Sequence, residues 1–245
     1  MTPFPASWLE IIRRNVPYAA FLSEKDFREL QGHIQVFLAE KSFEGCGGLQ
    51  MTDEIRVTIA SQASLLLLHR ETNYYPTLRT ILVYPGAYVV PFTESVGHGI
   101  IREGTSVHLG ESWQHGSVIL SWDDVLHGSS DIHDGHNVVL HEFAHQLDQE
   151  AGNPEGAPLL PKRSMYLAWA RVLSAEYNQL QKDAELGRKT IIDKYGAVNP
   201  AEFFAVATEC FFEKGFQLKE KHPELYEELQ LFYRQDPARF YRQSD

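Results

Sequence analysis

Cysteine is scarce. Cys46 and Cys210 are far apart, and neither belongs to a CxxC pair. A disulfide-built scaffold and a thiolate zinc finger are excluded, and two free thiols in a reducing compartment are expected. Long apolar runs are missing too. The longest, SLLLLHR at 64–70, falls far short of the ~20 residues that cross a bilayer. The opening MTPFPASWLEIIRRN lacks the basic start and apolar stretch of a secretory leader. Cations are in deficit: 22 Lys and Arg face 33 Asp and Glu, a formal net charge of -11. Nucleic-acid backbones and anionic membranes both require clustered Lys and Arg, so this balance argues against either as a partner. A soluble cytoplasmic protein is expected.

What is present suffices for a sizeable core, since 43% of the residues are hydrophobic and 22% charged. No repeat or domain-separating linker interrupts the chain, so residues 1–245 are expected to form one α+β domain. Residues 1–70 predict a helical layer. Helices are expected over 7–15 and 25–43, the second with Phe27, Leu30, Ile34, Phe37 and Leu38 at helical spacing. A third starts after Thr52, a suitable N-cap, and its apolar end predicts burial all round. Residues 79–122 predict a small twisted sheet. RTILVYPGAYVVPF carries two β-rich runs around Pro85-Gly86, and GTSVHLGESWQHGSVILSW carries two more, broken at Gly110 and Gly116. Asp123 or Asp124 is expected to cap a short helical turn. Residues 136–245 turn helical again, with helices over 136–150 and 162–187 and closing helices over 201–218 and 223–237.

The chemistry concentrates in VVLHEFAHQLDQE. His141 and His145 stand four residues apart, so on a helix both imidazoles leave one face. That spacing lets two neutral nitrogens bind one zinc ion at about 2.0–2.1 Å each. Glu142 flanks the same face as a general base, the HExxH arrangement. The helix is apolar, and burying two imidazoles without partners would be costly, which favours a metal over a chance match. A catalytic zinc usually adds a third protein ligand and keeps one position open. Three carboxylates compete for that place. Asp148 shares the histidine face, and can equally orient a ligating His from behind. Glu202 and Glu209 share a face of the apolar helix AEFFAVATECFFE. Glu202 lies in its first turn, where the chain enters from a loop, and Glu209 lies deeper, within reach of a ligating His. Pattern alone favours Glu202 and leaves the other two open. His133 and His136 sit off the motif face and suit loop roles, and His108, His115 and His127 are dispersed.

DGHNVVLHEFAHQLD and DKYGAVNPAEFFAVATECFF resemble segments of the Mlc titration factor A family of zinc peptidases. GSVILSWDDVLHG and RVTIASQASLLLL extend the resemblance over roughly residues 20–240. It implies a gluzincin with a zincin-like core, similar to the protease domain of anthrax lethal factor. His141 and His145 match the family's ligands, Glu142 its base and Glu202 its third ligand. Tyr195 matches a tyrosine that faces the site, where a phenol can donate to the oxyanion of a tetrahedral intermediate. Asp148 and Glu209 remain as carboxylates behind the ligands. The resemblance further implies aminopeptidase-like peptide hydrolysis and association with a transcriptional repressor, Mlc. The strand SVILSW is expected beside the cleft, with an edge open to an extended peptide.

Two functions therefore compete. One is a zinc-dependent peptidase. The other is a non-catalytic regulatory protein that sequesters a transcription factor around a structural zinc. Glu142 discriminates them, because a structural zinc needs no base beside it.

Overall fold

The computed structural model of the chain describes residues 3–86, 88–95, 101–108, 110–113, 116–152 and 155–243. His115 and Pro154 lie outside them. The α+β organisation expected from the sequence is the one adopted. Helix α1 spans Ala6–Asn15, and Asn15 donates to Thr58 Oγ1 at 3.0 Å. Helix α2, Glu24–Glu40, starts where Ser23 Oγ accepts from Asp26 N at 3.2 Å. Helix α3, Asp53–Leu65, starts at Thr52, whose hydroxyl accepts from Ile55 N at 3.3 Å. From Val57 to Leu65 every residue of α3 is buried, as its apolar end predicts.

The helix expected over 25–43 ends early. Ser42–Gly45 leaves it as strand β1, which pairs in parallel with β2, Thr80–Tyr84. Four residues are too few to show an alternation, and this strand exists through its partner. Strands β3, Tyr88–Ser95, and β4, Ile101–His108, form a separate antiparallel ribbon. Strand β5, Gly110–Trp113, pairs antiparallel with β6, Ser117–Ser121. The main sheet runs β1-β2-β6-β5, with β1, β2 and β6 parallel. The expectation of an open edge on SVILSW is therefore corrected: β6 is held between β2 and β5, and β5 ends the sheet among the described residues.

Helix α4, Trp122–Ser130, is capped by Ser121, which accepts from Asp124 N at 3.3 Å, and not by Asp123 or Asp124. Helix α5, Val138–Gln149, starts after Asn137, two residues later than expected. Helix α6 covers Tyr166–Glu185 after a 3-10 turn at Arg163–Met165. The helix expected over 201–218 is two: α7, Pro200–Glu213, and α8, Gly215–Lys221. At the break Gly215 meets Pro237 and Ala238, where a Cβ would already crowd at 3.0–3.3 Å. Helix α9, Pro223–Tyr233, stops short of the expected 237 at the left-handed Arg234, and a 3-10 turn, Pro237–Gln243, follows it. Among the described residues no helix is long and apolar enough to cross a membrane.

One cluster of buried side chains runs from Ile11 to Ala238. Phe143, on the face of α5 opposite its histidines, is its pivot. Its ring lies 5.6 Å from Phe37 and 4.9 Å from Tyr75, so it ties α5 to α2 and to the loop that leads into β2. Phe143→Ala is expected to destabilise the chain by about 3–5 kcal/mol, since the side chain is fully buried and its surroundings relax only in part around the cavity. Chemical denaturation of both proteins measures this; a loss below about 1 kcal/mol would show that α5 is anchored elsewhere.

Candidate metal centre

Two helices build the site. Asn137 Oδ1 accepts from Leu140 N at 3.0 Å and starts α5, whose Val139, Leu140, Phe143, Ala144 and Leu147 are buried. Asn199 Oδ1 accepts from Glu202 N at 2.9 Å and starts α7, with Pro200 preset in the first turn. From Phe203 to Glu213 α7 is buried throughout. It packs against α5, so Glu202, in its first turn, meets the histidines.

His141 Nε2 lies 3.0 Å from Glu202 Oε2 and 3.2 Å from His145 Nε2, and His145 Nε2 lies 3.4 Å from the same Glu202 oxygen. Ligands at 2.0–2.1 Å in a tetrahedron stand about 3.3 Å apart. The three atoms thus outline one face of a zinc coordination shell. Their hydrogens reinforce the point. Glu209 Oε1 takes up His141 Nδ1 at 2.7 Å, so in the neutral ring Nε2 is a bare lone pair aimed at a carboxylate. Such a contact repels unless a proton or a cation lies between. A second group of possible donors, Asp26, Glu29 and His69, differs in kind. There the two nitrogens of the His69 ring face different carboxylates, each at 3.4 Å, which is the layout of an ion pair.

The charges follow from these contacts. Burial works against a charged His141, but the hydrogen bonds to Glu202 and Glu209 outweigh it and hold its pKa well above the ordinary 6.5. Burial would likewise raise Glu202, and the hydrogen bonds from His141 and His145 bring it down to about 2. Glu142 has no such bond. Burial, only partly offset by the two histidines, pushes it up to about 7. Its Oε2 is enclosed and has no protein partner.

The other expected residues fall in different places. The Tyr195 ring lies 6.0 Å from that of His141, in a 3-10 turn, Lys194–Ala197, that Asp193 starts by accepting from Tyr195 N at 2.7 Å. Burial and the charges of Glu202 and Glu142 push its phenol up to about 12, so it remains a donor. Asp148 is not in the cluster. Its Oδ2 accepts from Gly156 N at 2.7 Å and holds the loop after α5, where a Cβ on Gly156 would meet Pro200 O at 2.4 Å. His136 sits outside the cluster, 3.7 Å from Asp193. Asn137, Glu213 and Gln62 are not among the residues to which the motifs point, yet they pack behind Glu209. An Asn just before an apolar helical run is an N-cap signal, so the sequence could have marked Asn137; its longer-range contacts carry no local signal.

The family described as glucose-regulated metallo-peptidase M90 matches residues 1–234. The chain belongs to the M90 family. Its curated relatives agree with that membership. An uncharacterized protein of Synechocystis is 43% identical over 236 residues, 96% of this chain and 86% of that one. Mlc titration factor A of Pectobacterium atrosepticum is 34% identical over 226 residues, 91% of this chain and 84% of the relative. Mlc titration factor A of Yersinia pestis is 31% identical over 235 residues, 95% and 85% of the two chains. The resemblance seen in the motifs is thus a family relation, and the M90 family is one of metallo-peptidases.

A pH dependence follows. In this M90 chain without metal, the raised pKa of His141 gives a stabilisation that is complete below 6.5 and fades as pH climbs past its raised value. The lowered pKa of Glu202 gives one that is complete above 4.5 and is lost as pH falls toward about 2. The metal-free site is best held between those two ordinary values. A metal competes with protons for the imidazoles, so the rise in Tm produced by added zinc should grow from about pH 5 to about pH 7.5. Thermal unfolding with and without zinc across this range checks it; an increment independent of pH would contradict it.

Proposed function

We propose that this chain is a zinc-dependent peptidase, aminopeptidase-like in its cleavage, in which His141, His145 and Glu202 hold the ion. The observation that carries the reading is the triangle of three donor atoms, 3.0, 3.2 and 3.4 Å on its sides, beside the enclosed and unpartnered Oε2 of Glu142. The family relation supports it. The reading takes residues 1–245 as one catalytic domain in the cytoplasm, which the core from Ile11 to Ala238 supports for the domain.

Bound zinc would supply Lewis-acid chemistry, polarising the scissile carbonyl and acidifying the attacking water. The remaining work belongs to the protein. Glu142 takes a proton from the attacking water and returns it to the departing amine. Its burial, which favours the neutral acid, suits the return half of that exchange. Tyr195 keeps its hydroxyl proton and donates it as a hydrogen bond to the oxygen that gains charge. Glu209 holds Nδ1 of His141 and so turns Nε2 toward the ion. An extended peptide pairs with β5, which ends the sheet among the described residues and packs against α5.

A second reading has its own support. The Pectobacterium and Yersinia relatives carry the name Mlc titration factor A, so a repressor of the Mlc type is a candidate protein partner. The non-catalytic alternative makes that binding the whole function and the zinc structural. Glu142→Gln separates the two. It should keep zinc content and Tm while lowering kcat on aminoacyl and peptide substrates by about 10²–10⁴-fold. Unchanged cleavage would remove Glu142 from the mechanism. A wild-type protein that is zinc-loaded yet inert on a broad substrate panel would favour the binding role. Tyr195→Phe should lower kcat by about 10²–10³-fold with little change in KM. A change confined to KM would make Tyr195 a substrate contact instead.

A further inference from the structure

Asn137 stands where four helices meet. Its carboxamide oxygen starts α5, and its amide nitrogen faces Gln62 Oε1 of α3 at 2.9 Å, Glu213 Oε1 of α7 at 3.1 Å and Gly128 O of α4 at 3.4 Å. Its backbone N–H donates to Glu209 Oε2 at 2.5 Å. The other oxygen of Glu209 holds His141 Nδ1. Gln62, Asn137, Glu209 and Glu213 are all buried. Gly128 approaches closely because it lacks a side chain: a Cβ there would lie 2.9 Å from His136 O and 3.0 Å from Asn137 Cα.

We propose that Glu213 and Asn137 are positioning residues of the metal centre, fixing Glu209 and through it the plane and tautomer of the His141 ring. Neither belongs to the cluster of three donors. The inference rests on reading His141, His145 and Glu202 as zinc ligands.

A carboxylate tied at one oxygen can turn about its terminal torsion, which is broad and soft. Glu209 is tied at both. The second tie comes from a backbone N–H whose place depends on the Asn137 side chain. That side chain is clamped by Gln62 and Glu213, so the chain of restraint runs from Glu213 to the ring. Glu213 lies one turn beyond Glu209 on α7, where two carboxylates would repel if both were charged. Burial, aided by the charge of Glu209, pushes Glu213 up to about 9. At neutral pH it is a carboxylic acid, able to accept from Asn137 without a second charge beside Glu209. A glutamine in its place keeps the carbonyl oxygen that accepts from Asn137 and carries no charge.

The test compares zinc affinity, by chelator competition, in the wild type, Glu213→Gln and Glu213→Leu. The Nδ1–H proton of His141 is followed by NMR in the zinc-loaded proteins. Glu213→Gln should match the wild type in both. Glu213→Leu should weaken zinc binding by about 10–100-fold and make the Nδ1–H signal shift upfield and exchange faster with water. A residue that only supports the fold would lower Tm and leave the zinc-loaded ring signal in place. If Glu213→Leu does not fold, Asn137→Ser reads the same contact, because it keeps an N-cap oxygen and drops the amide donor. Affinity and ring signal unchanged in the variant that folds would overturn the inference while leaving the zinc site intact. Equal loss in Glu213→Gln would overturn the neutral-acceptor role. A wild type that binds no zinc would overturn the underlying reading, and the inference with it.

Discussion

Three donor atoms converging across the α5–α7 crossing are the constraint on which the site turns. His141, His145 and Glu202 crowd within 3.0–3.4 Å of one another, and neutral imidazoles alone do not make that favourable. A proton held by His141 or a bound cation does. The elements around the crossing are organised to keep the donors where they are. Asn137 and Asn199 fix where the two helices begin, Phe143 anchors the back of α5, and Gly156 lets the following loop close down on Pro200. The candidate metal centre is therefore a property of two helix starts and one packed crossing, more than of the five-residue motif alone.

Four glutamates of the same pair of helices end up with four different jobs because their surroundings differ. Glu202, hydrogen-bonded by both histidines, is drawn down to about 2 and remains an anion fit to bind metal. Glu142, buried without a hydrogen-bond partner at Oε2, sits at about 7, where a proton can be taken up or released. Glu213, deeper still, stays protonated near neutrality. Glu209 links the ring of His141 to the start of α5. Pushing the pKa values of neighbouring carboxyls apart is how two packed helices can offer a ligand, a base and a support in the proposed site.

Much of this arrangement is legible in the amino-acid sequence, where the signals are local. The spacing of His141, Glu142 and His145 on an apolar run, the Thr52 cap and the position of Glu202 just after Pro200 are of this kind, and the folded chain keeps them. Other features depend on partners distant in sequence. Strand β1 is four residues long and has meaning only beside β2. The order β1-β2-β6-β5, which makes β5 the last strand of the sheet among the described residues, cannot be derived from runs of β-branched residues. The break between α7 and α8 reflects the close approach of Gly215 to Pro237 and Ala238. The contact of Glu213 with Asn137 spans 76 positions, and nothing near either residue announces it.

The central claim is that these three side chains clasp one divalent ion. X-ray absorption at the zinc edge of the loaded protein tests it most directly. The account predicts a low-coordinate shell of nitrogen and oxygen at about 2.0–2.1 Å with the outer scattering of two imidazoles. A shell of oxygens without imidazole scattering, or one containing sulfur at about 2.3 Å, would contradict it.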